Sequence, residues 1–198
     1  MLRSLLPITL LALAACKGDD PGPAATDPAP STSRVQRALP KPGEVWGRDL
    51  ATALALDEHE LCHELGTADC IREAHRVTLG GVEAERLGID DPLENALVSA
   101  PIAIDRVAIS ACGERFDRDK AGSPVLFGPV LDTDTPASRQ LVSEQLVRSV
   151  LARHPTRSDL DALEGLHATL EPVSSDLVRD WAVGACVVVA TSTEALFY

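Results

Sequence analysis

The residues from His59 to His63 are of the types, and at the spacing, that catalytic zinc sites use. His59 and His63 lie four residues apart and Glu60 follows the first of them, in the pattern H-E-x-x-H. Two histidines four apart share one face of a helix and can bind one zinc ion. A glutamate between them can take a proton from the water on that ion. The pattern predicts zinc-dependent hydrolysis.

The residues that follow His63 extend this pattern. Gly66 and Asp69 complete H-E-x-x-H-x-x-G-x-x-D, which resembles the motif of metzincin-type zinc peptidases. In that family the glycine lets the chain turn, so that a third ligand returns to the metal. The resemblance implies a Zn cofactor with His59, His63 and Asp69 as its ligands and Glu60 as the general base.

The same residues also fit a structural helix that holds no metal. Asp57, followed three residues later by Glu60, predicts a capped helix that runs to Leu65, and Gly66 suits the position after its end. We favour this interpretation, which assigns no catalytic residue, no metal and no cofactor. The zinc peptidase is the alternative.

Four cysteines follow Cys16, and their number indicates disulfides. An even count in an exported chain is typical of two bridges, with buried free thiols as the alternative. Four cysteines allow three connectivities. We expect Cys62 to pair with Cys70 across the predicted end of one helix, and Cys112 to pair with Cys186, since both lie on inner faces of predicted helices.

The first sixteen residues have the organisation of a secretory signal. Arg3 is basic, residues 5–15 are mostly apolar, and small residues at 14 and 15 precede Cys16. The sequence Leu13-Ala14-Ala15-Cys16 resembles the lipobox of bacterial lipoproteins. The resemblance implies cleavage before Cys16, a diacylglycerol thioether on its sulfur and acylation of the new amino terminus. An uncleaved anchor is the alternative, but the apolar run is too short for an ordinary membrane-spanning helix.

Composition divides the chain into three parts. Residues 1–15 are the predicted signal peptide, and residues 16–33 are the lipidated cysteine and a tether rich in proline, alanine and aspartate. A segment without large apolar residues cannot bury enough surface to offset its ordering entropy, so we expect a disordered tether. Residues 34–198 are long enough for a single domain with a hydrophobic core.

The overall composition favours helices and excludes one class of partner. Aromatic residues are only 3% of the chain, which indicates few strands. The formal net charge is −12, and loss of Arg3 with the signal peptide makes it −13. Phosphate backbones and anionic lipid surfaces repel so acidic a chain. We therefore expect no nucleic-acid partner, and a membrane attachment made by lipid chains on Cys16.

The first half of the domain shows uneven helical periodicity. A helix is predicted from about Trp46, and a short one from Cys70 to Leu79, while residues 82–97 are predicted to be mostly loop. A longer amphipathic helix is predicted from Ser99 to Gly113. Residues 114–134 mix charges and glycines; we expect a solvated turn at 117–120 and allow a short strand at 125–127.

Three helices are predicted in the last third of the chain. Thr135 precedes the first of them, and Thr156 with Asp159 caps the second. Ser174 or Ser175 is expected to cap the third, which runs to about residue 191 and is apolar on nearly all sides, as a central buried helix would be. The predicted fold is all-α, a disulfide-bonded bundle of about five to six helices after the signal peptide and tether.

The last quarter of the chain carries a second, weaker pattern. The runs LVRSVLARHPTRSDLDAL and ACVVVATSTEALFY resemble the C-terminal helical repeats of large exported bacterial proteins of uncharacterised function. The resemblance implies an α-helical exported module and assigns no site residues. Together these patterns predict a lipid-anchored outer-membrane lipoprotein that faces the periplasm or the cell surface. We expect it to act by binding or assembly with an envelope protein partner.

Overall fold

The computed structural model describes residues 39–92 and 97–198. The predicted signal peptide at 1–15, the lipidation site Cys16 and the predicted tether at 16–33 lie outside the described residues. The described part is mostly helical and contains two disulfide bonds, as predicted. None of its helices combines the length and the apolar character that crossing a membrane requires.

Eight α-helices occur among the described residues, five of them long and three of a single turn. In chain order they are α1 (Gly43–Leu54), α2 (Ala84–Leu87), α3 (Ala100–Lys120), α4 (Gly128–Asp132), α5 (Pro136–Leu151), α6 (Arg157–Leu170), α7 (Leu177–Ala190) and α8 (Thr193–Leu196). One small antiparallel sheet pairs β1 (His63–Glu64) with β2 (Ala68–Asp69). The five long helices agree with the predicted number of five to six.

Side-chain caps begin the later helices largely as the sequence predicts. The Thr135 hydroxyl accepts a hydrogen bond from the backbone N–H of Ser138 at the start of α5, and Thr156 is paired in the same way with Asp159 at the start of α6. The cap of α7 is Asp176, so the predicted serine caps are wrong. Ser174 supports that cap, because its hydroxyl accepts a hydrogen bond from the backbone N–H of Asp176.

Helix α7 lies at the centre of the helix packing. It contacts α3, α5 and α6, and its side chains Trp181, Ala182, Ala185 and Cys186 are buried. The indole N–H of Trp181 donates to the carbonyl of Leu163 on α6, which satisfies the one polar atom of that buried ring. The prediction of a buried apolar helix is therefore confirmed for most of its circumference.

Helix α3 is longer than the sequence predicts. It continues through Gly113 to Lys120, and the last two turns bury Arg115, Phe116 and Asp119. Glycine costs a helix only about 1 kcal/mol relative to alanine, and this burial outweighs that cost. The segment expected to form a solvated turn at 117–120 is helical instead. The allowed strand at 125–127 is also wrong, because those residues form the turn before α4.

A buried ion pair fixes the turn between α3 and α4. The Asp119 side chain is fully buried and accepts hydrogen bonds from the backbone N–H groups of Val125, Leu126 and Phe127, at 2.9, 2.9 and 2.7 Å. The Arg115 guanidinium lies 2.7 Å from the same carboxylate and also donates to the carbonyl of Ala55, just after α1. One carboxylate and one guanidinium thus connect α1, α3 and the start of α4.

The two disulfides join the pairs that the sequence predicts. Cys62 is bonded to Cys70 with Cα atoms 5.5 Å apart, and Cys112 is bonded to Cys186 with Cα atoms 5.9 Å apart. The first bridge is local. The second joins the middle of α3 to α7 and closes a much longer segment of chain.

The difference in loop length predicts unequal contributions to stability. In the chain-entropy account, loss of the Cys112–Cys186 bridge should lower the free energy of unfolding by about 4.5 kcal/mol and loss of Cys62–Cys70 by about 2.6 kcal/mol. Denaturant unfolding of the two paired alanine variants, Cys112→Ala with Cys186→Ala and Cys62→Ala with Cys70→Ala, measures both values. Equal losses would contradict the prediction.

The buried position of Asp119 predicts a large effect from a small substitution. Asp119→Asn removes the charge opposite Arg115 and turns one acceptor into a donor, so we expect it to cost about 3–5 kcal/mol of stability. Asp117→Asn is the matched control, because Asp117 lies on the same helix as Asp119 but is exposed and pairs with Arg179 of α7. This substitution should cost at most about 1 kcal/mol of stability. Thermal and denaturant unfolding of the two variants provides the comparison.

Candidate functional site

The H-E-x-x-H segment does not form the helix that the sequence predicts. Residues Glu58–Glu60 make a single 3₁₀ turn, which Asp57 and Glu60 cap as expected. The chain then enters β1, turns through Leu65 and Gly66 with positive φ angles of 53° and 82°, and returns as β2. His59 and His63 therefore do not lie one turn apart on a helix, and the geometry of the zinc motif is absent.

The Cys62–Cys70 bridge explains why a hairpin replaces the helix. These cysteines directly flank the hairpin, and the backbone N–H of Cys70 donates to the carbonyl of Cys62 at 3.2 Å. In the next pair of the ladder His63 lies opposite Asp69. Because the bridge joins two residues that face each other across the strands, it stabilises the hairpin against a continuous helix.

The three predicted zinc ligands approach one another only in part. Asp69 pairs with His63 in the strand register, and one of its carboxylate oxygens lies 3.7 Å from the ring nitrogen Nδ1 of His59. The Arg72 guanidinium contacts the side chains of His59 and Asp69. It lies 3.2 Å from His59 Nδ1 and 3.3 Å from the Asp69 carboxylate. A cation thus occupies the place where a metal would bind. Within residues 39–92 and 97–198, no three His, Cys, Asp or Glu side chains are grouped to hold a metal ion.

Asp69 has a local structural role that uses its carboxylate. It accepts hydrogen bonds from the backbone N–H groups of Ile71 and Arg72, at 2.8 and 2.9 Å, and so caps the π-helix Cys70–Ala74. Burial alone raises the pKa of Asp69. The two backbone N–H groups and the Arg72 guanidinium outweigh that effect and hold the pKa below its ordinary value. The predicted helix from Cys70 to Leu79 is reduced to this short turn.

Glu60, the candidate base, is held as a charged carboxylate by two donors. The Arg118 guanidinium lies 2.9 Å from it, and the backbone N–H of Asp57 donates to it at 3.3 Å. Arg118 is the main reason that the pKa of Glu60 lies below its ordinary value. A general base works best with a pKa near the operating pH, so these contacts make Glu60 a weak base.

Other charged residues of this segment attach it to the rest of the domain. Glu58 pairs with Arg72 at 2.5 Å, while Glu64 accepts from Arg106 on α3 at 2.6 Å and lies 2.7 Å from His75. Arg106 is the main cause of the lowered pKa of Glu64. The acidic residues around the motif thus have arginine partners that position the hairpin beside α3.

A different feature, a cavity of about 430 Å³, is the best candidate for a functional site. Its described walls come from α1 and the residues before it, the turn at 77–80, Pro92 and Leu97, the start of α3 and the C-terminal residues. Most of the lining is apolar, and its larger apolar residues include Pro42, Trp46, Leu79, Ile104, Leu196 and Phe197. Its volume lies within the range of about 300–1,000 Å³ that is typical of small-molecule sites.

Backbone hydrogen bonds hold the walls of this cavity together. Residues 39–41 run antiparallel to residues 196–198: Tyr198 N–H donates to the Leu39 carbonyl at 3.0 Å, and Lys41 N–H to the Leu196 carbonyl at 2.8 Å. The Gly43 N–H donates to the Leu79 carbonyl at 2.7 Å. A Cβ at position 43 would come within 2.5 Å of the Leu79 side chain, so glycine permits this close approach.

The polar groups of the cavity do not form a reactive set. Lys41 is paired with Asp49 at 2.8 Å, and its ammonium lies 5.8 Å from the centre of the Tyr198 ring. Asp105 is the one acidic residue among the described residues that line the cavity, and it is exposed. The Trp46 indole N–H already donates to the Ala190 carbonyl. This arrangement suits apolar binding and contains no nucleophile paired with a base.

Sequence reasoning did not identify this cavity. Its lining comes from several stretches between residues 40 and 197, and no spacing or motif connects them. The close-approach glycine at position 43 has no distinguishing local pattern either.

The contacts of Glu60 predict the result of a single substitution. Glu60→Gln should change neither metal content nor any hydrolytic activity, and should lower stability slightly, because the pairing with Arg118 is weakened. Zinc analysis, peptidase assays and thermal unfolding of the purified protein test this expectation. Glu64→Gln is the matched control, because Glu64 is a half-buried glutamate that also has an arginine partner. Stoichiometric zinc with peptidase activity that disappears only in Glu60→Gln would contradict the structural role.

Comparisons of this chain with known protein families, with curated proteins and with solved structures find no match.

Proposed function

We propose that this protein is a lipid-anchored component of the bacterial cell envelope that acts by non-covalent binding. The anchor is a diacylated Cys16, exposed by cleavage after residue 15, and residues 16–33 are a flexible tether to an all-α domain. The apolar cavity carries the binding part of the proposal, since it is large enough for a ligand and lacks a reactive set of side chains.

Export is consistent with the covalent structure of the domain. All four cysteines after Cys16 are used in two disulfides, and such bonds persist mainly in oxidising compartments such as the periplasm. The acidic charge of the chain also supports attachment through lipid chains rather than through electrostatic attraction to anionic lipids.

The residue after the lipidated cysteine supports the assignment of the protein to one of the two membranes. Position 17 is a lysine, and the enterobacterial sorting rule retains lipoproteins with aspartate at that place in the inner membrane. By this resemblance we assign the protein to the outer membrane, facing the periplasm or the cell surface. Density-gradient separation of the two membranes tests the assignment.

The zinc peptidase is not favoured by any observation. His59 and His63 belong to a turn and a strand, and Arg72 lies against His59 and Asp69. A partner protein in the envelope fits the binding role, and nucleic acid remains an unfavourable partner for so acidic a chain.

The anchor is tested by a substitution at its attachment point. Cys16→Ala should remove the protein from membrane fractions and abolish the mass added by the lipid, since no other acylation site is proposed. Lys17→Ala is the control and should remain membrane-bound and lipidated. Fractionation with intact-mass measurement gives both results. Unchanged membrane retention and mass in Cys16→Ala would contradict the proposal.

A further inference from the structure

The lining of the cavity selects the chemistry of its occupant. Lys41 is already paired with Asp49, and the Trp46 N–H is already bonded to Ala190. The lining also contains the hydroxyls of Thr78 and Thr191, of which Thr191 donates to the Val187 carbonyl. A buried polar group on a ligand would therefore meet few free partners, which is costly. The interior offers Leu79, Ile104 and similar apolar surface instead. The part of the ligand that enters the cavity must be hydrocarbon.

The position of the cavity restricts where that hydrocarbon comes from. The described chain begins at Leu39, directly beside the cavity, where Pro40 and Lys41 form part of its lining. Residues 17–38 separate this point from Cys16, and 22 residues of chain reach at most about 80 Å when fully extended. The proposed anchor thus keeps the cavity within reach of a bilayer, where acyl chains are the abundant hydrocarbon.

The charge of the protein restricts the lipid further. The formal net charge of −12 opposes close approach to anionic headgroups. Among the described residues, the cavity lining contributes one cation, already paired, and one exposed acid, so this part of the lining offers no site for a charged headgroup. A lipid without net charge meets neither obstacle.

We propose that the cavity takes one acyl chain of an uncharged or zwitterionic lipid from the bilayer to which the protein is anchored. This inference rests on the proposed function for its source of lipid. The headgroup stays outside, and the chain is recognised by apolar contact with the walls around Trp46. The volume of about 430 Å³ limits occupancy to a single ligand of ordinary size.

The two tryptophans of the chain make the inference measurable. Trp46 lines the cavity, whereas Trp181 is buried at its hydrogen bond to Leu163 and is not part of the lining. The full lipidated protein is reconstituted into phosphatidylcholine vesicles whose acyl chains carry bromine, a contact quencher of tryptophan emission. We expect the bromine to quench the emission of Trp46. The Trp46→Phe variant, whose remaining emission comes from Trp181, should show no quenching.

Matched variants separate entry into the cavity from contact at the protein surface. Ile104→Phe fills the cavity from its wall, while Ile109→Phe adds the same bulk on the exposed part of α3 outside the lining. Quenching should be lost in the first variant and kept in the second. Ala100→Leu is a second filling variant, and unfolding curves verify that each variant is folded. Quenching that survives both filling variants would overturn the proposal.

A final arm distinguishes the source of the acyl chain. The full chain with Cys16→Ala is titrated with brominated lysophosphatidylcholine below its micelle concentration, and we expect saturation at one lipid per chain. Filling by Ile104→Phe should raise the half-saturating concentration by about tenfold, since each methylene kept out of the cavity removes apolar burial. One result would overturn the bilayer as the source of the chain: lysophosphatidylcholine quenches Trp46 in Cys16→Ala, but brominated vesicles do not quench it in the lipidated protein. The cavity would then be occupied by the lipid on Cys16 itself.

Absence of quenching in both arms would overturn the inference altogether. The titration of Cys16→Ala needs no membrane anchor. It therefore measures lipid binding in the cavity even if fractionation shows that the protein is not anchored. Failure of the anchor and failure of the cavity therefore give different results.

Discussion

The buried pair of Arg115 and Asp119 is the interaction that organises the helix packing. Two charges removed from water are costly unless they are paired and hydrogen-bonded, and among the described residues the buried Nε of Arg115 lacks a hydrogen-bond partner. Here the carboxylate accepts three backbone N–H groups and faces the guanidinium, which reaches the carbonyl of Ala55. The pair therefore sets where α3 ends, how the following turn is shaped and where α1 stops. Helix α4 contacts α3, α5 and α7 from the position that this turn determines.

The H-E-x-x-H segment shows how a covalent constraint overrides a pattern of residue spacing. Spacing alone places His59 and His63 on one helix face, and the capping pair of Asp57 and Glu60 agrees with that interpretation as far as the first turn. The Cys62–Cys70 bond then requires two residues eight apart to face each other across strands. The predicted pairing is correct, whereas the predicted helix to Leu65 is replaced by a 3₁₀ turn and a hairpin.

Sequence reasoning succeeded where residue type and spacing carry the information, and the Cys112–Cys186 pair is included because both cysteines lie on predicted inner helix faces. It missed contacts between separate segments that no motif marks. The caps at Thr135 and Thr156 and the apolar surface of α7 depend on residues within one helix, so spacing and residue type predict them. The burial of Asp119 depends on a turn six to eight residues later, and the cavity depends on segments more than a hundred residues apart. Neither has a periodicity or a motif, so only the folded chain identifies them.

The antiparallel contact between residues 39–41 and 196–198 has a mechanical consequence. Any tension along the chain that precedes Leu39 reaches the folded part first at the hydrogen bonds to Tyr198 and Leu196. Residues 40–41 and 196–197 of these segments also line the cavity. The force therefore acts on the cavity wall before it reaches α1 and the buried helices. Opening these two hydrogen bonds would separate two segments of the cavity wall, so force on the preceding chain and occupancy of the cavity act on the same contact.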